Sequence, residues 1–556
     1  MENKTVARTF RLLSQLMELH DENPFKVKTI ASTAYKIDKL AFPIAQKSLP
    51  EIEGISGIGR STASKVWELL QTGMIKDLDD LLEATPAGVV EMMRIKGIGP
   101  KKVNIIWKEL GIENVGELLY ACNENRLIEA KGFGAKTQDE IRKAIEFAMA
   151  GAGRHLYAQV EELAEAVIAS LKSFLKTDLI SFTADYRRRC EIIDELDLLI
   201  ASPISLEEIA KITGLKILNK TETGGELESD SGLKVLVSFC SPEDFAYQLA
   251  IQTGAEDHVA ELHKRLNNRQ PKVQTEAEVY ALAGLPFIEP ELREGLFEFD
   301  LAEKNQLPRL VEWKDLKGTL HNHSTWSDGV HTLEEMALFC RDELKLEYLG
   351  ICDHSKSAFY ANGLNEERVI AQHEEIESLN KKLGDFKIFK GIESDILFDG
   401  SLDYPSEILA SFDFVVASIH SILKMNEEKA TSRLIKAIEN PYTTILGHPT
   451  GRMLLARSGY PINYEKVIDA CAANGVVIEI NANPLRLDLD WRWHQYAINK
   501  GVLLSINPDA HRNSGFFDTH YGILAARKGG VSAENCLNAL SGAEISAYFA
   551  KKKAGK

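Results

Sequence analysis

The seven cysteines of this 556-residue chain (Cys122, Cys190, Cys240, Cys340, Cys352, Cys471, Cys536) include no Cys-x-x-Cys pair. That excludes a disulfide framework or a zinc ribbon and points to reduced thiols in packed positions. No apolar run approaches the ~18 residues of a membrane span, and the opening MENKTVARTFRLL has no apolar secretory core. A cytoplasmic protein, off the membrane, is the expectation. A basic excess is missing too. The formal charge is -17; residues 1–150 carry 21 basic against 21 acidic residues and the remainder 44 against 61. A cationic glove around nucleic acid is excluded, whereas backbone contacts by loops and helix N-termini are not. With 44% hydrophobic and 26% charged residues, the length implies several ordinary globular domains.

What the chain does have begins with a repeat. GISGIGRSTASKV from Gly54, RIKGIGPKKVNII from Arg94 and EAKGFGAKTQDEI from Glu129 each set Gly-apolar-Gly between two helical patterns, with cations or hydroxyls following. Glycine allows a positive φ and leaves room for a backbone oxygen of a ligand, and the next helix aims free N–H groups at an anion. Such contacts hold a nucleic acid without reading it. The pattern resembles helix-hairpin-helix DNA-binding motifs, and the candidates are Gly57, Gly59, Gly97, Gly99, Gly132 and Gly134, with Lys101 and Lys102.

Residues 150–300 read as helix, strands and helix. In FTADYRRRCEIIDELDLLIAS a cationic turn precedes an acidic-apolar alternation that puts Glu195 and Asp197 on one strand face, either to hold magnesium or as a plain solvated surface. This stretch, with SPEDFAYQLAIQTGAEDHVAELHKR and YALAGLPFIEPELREG, resembles the family X DNA polymerases of the bacterial PolX type. The resemblance has gaps. Where the family has Gly-Ser before its arginines, this chain has Ala184 and Asp185; where it has Asp-x-Asp, Glu195 and Asp197; where it has a third aspartate, Leu236. A like charge against a triphosphate and a missing carboxylate should each remove several kcal/mol of charge stabilisation, so the polymerase is expected to be a relic. Ser32 stands where some relatives carry a lyase lysine, with Lys36 and Lys39 nearby, so lyase activity is not carried over.

Ten of the fourteen histidines fall after residue 310. Seven apolar runs there (GTLHNH, YLGICDH, KIFKGIE, DFVVASIH, TTILGH, GVVIEIN, VLLSINPDAH) alternate with helical patterns, as in a parallel sheet or barrel. Nearly every run ends on a potential ligand: His321, His323, His354, Glu393, His420, His448, Asp509 and His511, with Asp328 on the turn after the first. The C-terminal strand ends of a β/α barrel share one mouth, so these nine should converge, in numbers that suit two or three divalent ions. Strand periodicity puts His321 and His323 on one face. His331, His373, His494 and His520 lie off the strand ends and are read as structural.

CDHSKSAFYANGLNEERV, GIESDIL, LGHPTGR and NPDAH resemble the polymerase and histidinol phosphatase (PHP) domain, within it the C-terminal domain of PolX. The resemblance implies three ions, manganese or zinc: one on His321, His323, Glu393 and Asp509; one sharing Glu393 with His420 and His448; one on Asp328, His354 and His511, with Asp509 bridging. His321, His323, Glu393 and Asp509 are then the catalytic core. Arg452, beside His448, is a candidate to hold a substrate phosphate or a structural residue. The expected protein is multidomain: an α-helical helix-hairpin-helix region (1–85 and 86–150), an α+β polymerase X-like palm and thumb (151–305) and a (β/α)7 PHP barrel (310–556). The expected function is hydrolysis at gapped, nicked or 3' DNA ends by a 3'-5' exonuclease, with 3'-phosphatase and abasic-site cleavage as further possibilities, by default as a monomer. The alternatives are a working polymerase with an attached exonuclease, and a small-molecule phosphatase like histidinol phosphatase.

Overall fold

The computed structural model describes residues 1–95, 97–128, 130–150 and 153–554. Lys96 and Glu129, inside the second and third hairpin motifs, lie outside the described residues. Contacts divide the chain into two compact units, residues 1–146 and 147–556. The finer boundaries expected near 85 and 305 fall inside these units.

The first unit is helical. Its opening helix, Asn3–Leu19, buries Val6, Phe10, Leu13 and Leu16, a spacing of three and four that lines one face. Pro24–Asp38 follows with proline in its first turn and the Asn23 side chain accepting the Phe25 N–H at 2.9 Å. The three glycine turns are built alike. Gly57, Gly97 and Gly132 have φ of +79°, +92° and +86°. In each turn the N–H of the next residue donates three residues back, from Ile58 to Ile55, Ile98 to Ile95 and Phe133 to Ala130. The second glycine of each pair then leads into a helix: Arg60–Thr72, Pro100–Lys108 and Ala135–Ala150.

The second unit opens with a short ribbon, β1 (His155–Leu156) against β3 (Ile192–Ile193). Beside these strands in the chain is a five-stranded mixed sheet of β2 (Ile180–Phe182), β4 (Glu195–Ile200), β5 (Lys216–Thr221), β6 (Gly224–Glu228) and β7 (Lys234–Phe239), in the order β2-β4-β7-β6-β5. Strands β4 and β7 run parallel and the other pairs antiparallel. The helix Tyr157–Leu175 joins the sheet's core through Val160, Ala164, Val167 and Leu171.

A seven-stranded parallel barrel follows: β8 (Gly318–Thr319), β9 (Tyr348–Ile351), β10 (Lys387–Asp395), β11 (Phe414–Ser418), β12 (Ile445–Leu446), β13 (Val477–Asn481) and β14 (Leu504–Asn507), paired in chain order. All but two of their residues are buried, which is why they read as near-continuous apolar runs. Asn322 pairs with Ala510, and the His323 N–H donates to the Ala510 carbonyl at 2.9 Å, joining the loops beyond the first and last strands and nearly closing the ring. Just past β8, β12 and β14 the backbone turns left-handed, with φ of +69° at His321, +21° at His448 and +54° at Asp509. Non-glycine residues held there store ~1–3 kcal/mol each and cluster at functional sites.

A buried charge joint ties sheet lobe to barrel. Lys528, its side chain 1% exposed, pairs with Glu294 and donates to the Arg188 carbonyl at 3.1 Å. Next to it Arg527 donates to Glu291 at 2.8 Å.

Candidate metal centre

The nine expected ligands converge at the barrel mouth, and no side chain among them is more than 11% exposed. Glu393, near the end of β10, is the hub. Its Oε1 lies 3.2 Å from His321 Nε2, 3.1 Å from His420 Nε2 and 3.0 Å from His448 Nε2. Its Oε2 lies 3.0 Å from His354 Nδ1 and 3.8 Å from His323 Nε2. Asp509 Oδ1 stands 3.0 Å from His323 Nε2 and 3.6 Å from His321 Nε2. Asp328 faces His511 Nε2 at 3.4 Å and His354 Nε2 at 3.5 Å.

Three groups have ligand atoms close enough to share an ion: His323, Asp328, His354 and His511; His321, His323 and Glu393; His354, Glu393 and His420. These groups overlap the three expected sets without reproducing them: His323 and His354 each fall in two groups, and His448 and Asp509 fall in none, His448 lying beside Glu393 and Asp509 beside His321 and His323. His321 Nε2, both nitrogens of His323, His354 Nδ1 and Asp328 Oδ2 are buried with no hydrogen bond. A polar atom so placed is unfavourable unless something completes its coordination, and imidazoles facing carboxylates across 3–4 Å are a donor set suited to divalent cations.

Without a cation the imidazoles and carboxylates of the centre pair with one another: burial would lower His321, His354 and His420, but the facing carboxylates hold the first two well above the ordinary imidazole range and His420 at about 9. Burial alone would raise Glu393, Asp328 and Asp509, but the neighbouring imidazoles hold each carboxyl well below its ordinary range. His323 goes the other way, pushed down to about 3 by burial and by His511 and His354, which keeps its nitrogens free to bind.

His321 and His323 do not share a strand face, because β8 ends at Thr319; the left-handed backbone at His321 brings the two rings to 5.3 Å. Sequence reasoning missed other residues in the site. Glu479, inside β13, accepts the His448 N–H at 3.1 Å and faces His321 Nδ1 at 2.7 Å, orienting that imidazole as partners of metal ligands do. Asp395 pairs with His420 Nδ1. Asp353 accepts the Ser324 N–H at 2.8 Å and the Ser327 N–H at 3.1 Å, pinning the loop that carries Asp328. The available signal was an acidic residue within a run, as for Asp353 and Glu479, or just past one, as for Asp395.

Arg452 is used inside the protein. Its guanidinium bonds Asp490 at 2.5 Å, the Arg486 carbonyl at 2.9 Å and the Leu487 carbonyl, with Glu191 at 3.5 Å. That contradicts a substrate clamp and favours the structural reading. His331, His373, His494 and His520 stand outside the three groups.

In the first unit, a β-carbon added to Gly59, Gly97, Gly99, Gly132 or Gly134 would meet nothing within 4 Å, so these turns offer open space to a ligand backbone. Gly57 differs: Lys36 Nζ fills that space and donates to its carbonyl at 3.1 Å. Lys101 is 86% exposed, whereas Lys102 donates to the Gly97 carbonyl at 3.2 Å.

In the sheet lobe Asp197 pairs in register with Leu236, so a leucine flanks the carboxylate on the neighbouring strand. Burial, with Glu195 and Asp185 nearby, pushes Asp197 up to about 6. The adjoining arginines are occupied: Arg187 by Glu276 at 2.5 Å, Arg188 by Glu294 at 2.9 Å and by Asp185, Arg189 by the Tyr157 hydroxyl. Among the described residues no metal-binding group forms at Glu195 and Asp197.

Comparison with known proteins agrees with this architecture. The helix-hairpin-helix domain family matches residues 1–75, and the SAM-like helix-hairpin-helix tandem family matches residues 89–146. The DNA polymerase/3'-5' exonuclease PolX of Bacillus subtilis is 32% identical over 578 aligned positions, covering 99% of each chain. This chain belongs to the PolX family. A probable phosphatase of Thermoanaerobacter sp. (strain X514) is 30% identical over 188 positions, 32% of this chain and 74% of that protein. Another, from Acetivibrio thermocellus, is 32% identical over 168 positions, 29% and 63% respectively. With three ligand groups at the mouth of a PHP-type barrel, the PolX-family chain is a metal-dependent phosphoesterase. Among the described residues no helix is long and apolar enough to cross a membrane.

Proposed function

We propose that this PolX-family chain trims DNA from the 3' end, as a 3'-5' exonuclease held to gapped or nicked DNA by its helix-hairpin-helix turns, and that 3'-phosphatase and abasic-site cleavage are further uses of the same centre. Its setting is DNA repair, as a cytoplasmic monomer. The observation that carries the reading is Glu393 ringed by five imidazoles at the barrel mouth, in a chain whose other unit matches helix-hairpin-helix families. The name of the Bacillus subtilis relative supports it.

Three manganese or zinc ions at the nine ligands would supply an activated water and neutralise charge on the phosphate and the leaving oxygen. The protein's part is positional. His321, His323, Glu393 and Asp509 form the core. Glu479 keeps the Nδ1 proton of His321 on the side away from Glu393, leaving Nε2 as a donor atom, and Asp395 does the same for His420. The burial of the ligands limits competing water and strengthens each charge interaction.

The polymerase lobe is proposed to bind and space DNA without transferring nucleotides, supported by Leu236 beside Asp197 and by the occupied arginines. A second reading, a working polymerase, is favoured by Glu195 and Asp197 alternating on β4. One assay separates them: a 5'-labelled primer on a gapped template with manganese, with and without dNTPs, beside a His321→Ala, His323→Ala double variant. Shortening by the wild type alone supports the proposal. Extension by the double variant overturns the relic.

A further inference from the structure

One of the seven apolar runs, GVVIEIN, brings no expected ligand to the mouth and ends on Asn481. Side chains alternate along β13, so Glu479 and Asn481 share one face while Ile478 and Ile480 turn into the apolar core. Asn481 is fully buried. A buried carboxamide is costly unless its donors and its acceptor are used, and here they are. Its Nδ2 donates to Glu479 Oε1 at 3.1 Å and to Asp509 Oδ2 at 3.1 Å, and its Oδ1 accepts the Asn483 N–H at 3.1 Å. A backbone N–H only donates, so Asn483 fixes which end of the amide is the oxygen.

The backbone beneath is held from both sides. The Asn481 N–H donates to the Asp488 carbonyl at 2.6 Å, and the Ala482 N–H donates to the Asn507 carbonyl at 2.7 Å. Asn481 pairs in register with Asn507, the last residue of β14, and Asp509 stands two residues further on, in its left-handed turn. Adjacent strand ends therefore carry the amide and the carboxylate it touches.

The consequence falls on Asp509. Its Oδ1 faces three imidazoles, 3.0 Å from His323 Nε2, 3.6 Å from His321 Nε2 and 3.9 Å from His511 Nδ1. Its Oδ2 turns to Asn481. The terminal torsion of an aspartate is soft, so the carboxylate alone would present either oxygen or both; a hydrogen bond to one of them removes that freedom. The amide also stands between two carboxylates as a neutral donor to each, where an acidic side chain would add a third like charge.

We infer that Asn481 is a positioning residue of the metal centre: it holds Asp509 Oδ2 and so presents Oδ1 to cations bound among His321, His323 and His511. This rests on the metal-dependent phosphoesterase and not on the nuclease reading, so the test uses a small phosphodiester. Asn481→Leu removes the donors at similar volume, and Asn481→Ala removes them without adding bulk. Each is loaded with cobalt(II), whose visible absorption reports its ligand set, and manganese affinity is measured by competition with a chelator. The expected result is an altered cobalt absorption and a manganese affinity ~10-fold or more weaker. At saturating manganese, kcat for bis(4-nitrophenyl) phosphate should fall ~10-fold or more with KM within about twofold of wild type. In an Asp509→Ala background, replacing Asn481 should weaken affinity no further, because a residue that acts through Asp509 has nothing left to hold. Variants that lose thermal stability in the metal-free chain yet match wild type in cobalt absorption and manganese affinity would overturn the inference, as would an affinity loss undiminished in the Asp509→Ala background; the phosphoesterase stands in both cases. A wild-type chain that takes up neither cobalt nor manganese overturns both.

Discussion

Replacing Glu479 by Gln tests whether the carboxylate inside β13 sets up the metal centre. Its Oε1 accepts the His448 N–H at 3.1 Å and Asn481 Nδ2 at 3.1 Å; its Oε2 accepts Asn507 Nδ2 at 2.9 Å and lies 2.7 Å from His321 Nδ1. Glutamine keeps the shape but turns one acceptor into a donor, so either orientation of the amide sets an NH2 against two N–H groups. Two buried donors lose their acceptor, at ~1–3 kcal/mol each, so the metal-free protein should be destabilised by ~2–6 kcal/mol. If the amide faces His321, the tautomer that leaves Nε2 free is no longer enforced. Loss of such a partner weakens metal affinity ~10- to 100-fold, or ~1.4–2.7 kcal/mol. Competition against a calibrated chelator gives the affinity, and thermal unfolding of the metal-free chain gives the stability. A Glu479→Gln protein within twofold of wild-type affinity and equally stable would refute the reasoning.

Four further outcomes follow. Asp328→Asn removes the carboxylate between His354 and His511, and metal analysis should show manganese falling from three ions towards two per chain, with hydrolysis reduced ~100-fold or more if that ion takes part in the chemistry. Gly97→Val or Gly132→Val forces a β-branched residue into a left-handed turn, at ~1–2 kcal/mol each; DNA affinity should drop in a gel-shift assay while small-ester hydrolysis stays unchanged. Asp197 is raised to about 6 in the fold from an ordinary 3.8, so folding is penalised as pH rises through 6, and the penalty is absent below 3.8. Asp197→Asn should therefore stabilise at pH 8 by ~1–2 kcal/mol after solvent screening, an advantage that shrinks between pH 6 and 4 in urea unfolding. Arg452→Lys should lower Tm by several degrees, through the lost carbonyl bonds, without changing the KM for DNA.

The barrel was legible in the sequence because strands buried on both faces are written as apolar runs, and because histidine is rare enough that its repeated place at run ends stands out. Leu236 and Asp185 were equally plain as departures. The shell behind the ligands was not. Glu479 sits inside the run GVVIEIN rather than at its end, where the other ligands fall, and only the barrel turns it toward His321 and His448. Backbone conformation was also hidden: period two places His321 and His323 on one face, but the strand stops two residues short and a left-handed turn replaces it. Arg452 lay beside a ligand in the chain, and proximity in sequence suggested substrate where the fold supplies Asp490 and two carbonyls. In the sheet lobe β5, KILNKT, is exposed along its whole length, its two apolar residues Ile217 and Leu218 adjacent rather than alternating.

The joint at Lys528 bears on how this protein can be taken apart. An expression fragment starting near residue 310 would keep every candidate ligand and look like a self-sufficient hydrolase. It would also strip Glu294 and the Arg188 carbonyl from Lys528, and Glu291 from Arg527, leaving a formerly enclosed ammonium on a newly bared surface beneath the helix Thr519–Lys528, which packs on the last barrel strand. Fragment activity would then report the health of a wounded scaffold as much as the chemistry. Whatever chemistry the sheet lobe performs, it also serves as a wall of the barrel, and the two are coupled through Lys528 and Arg527.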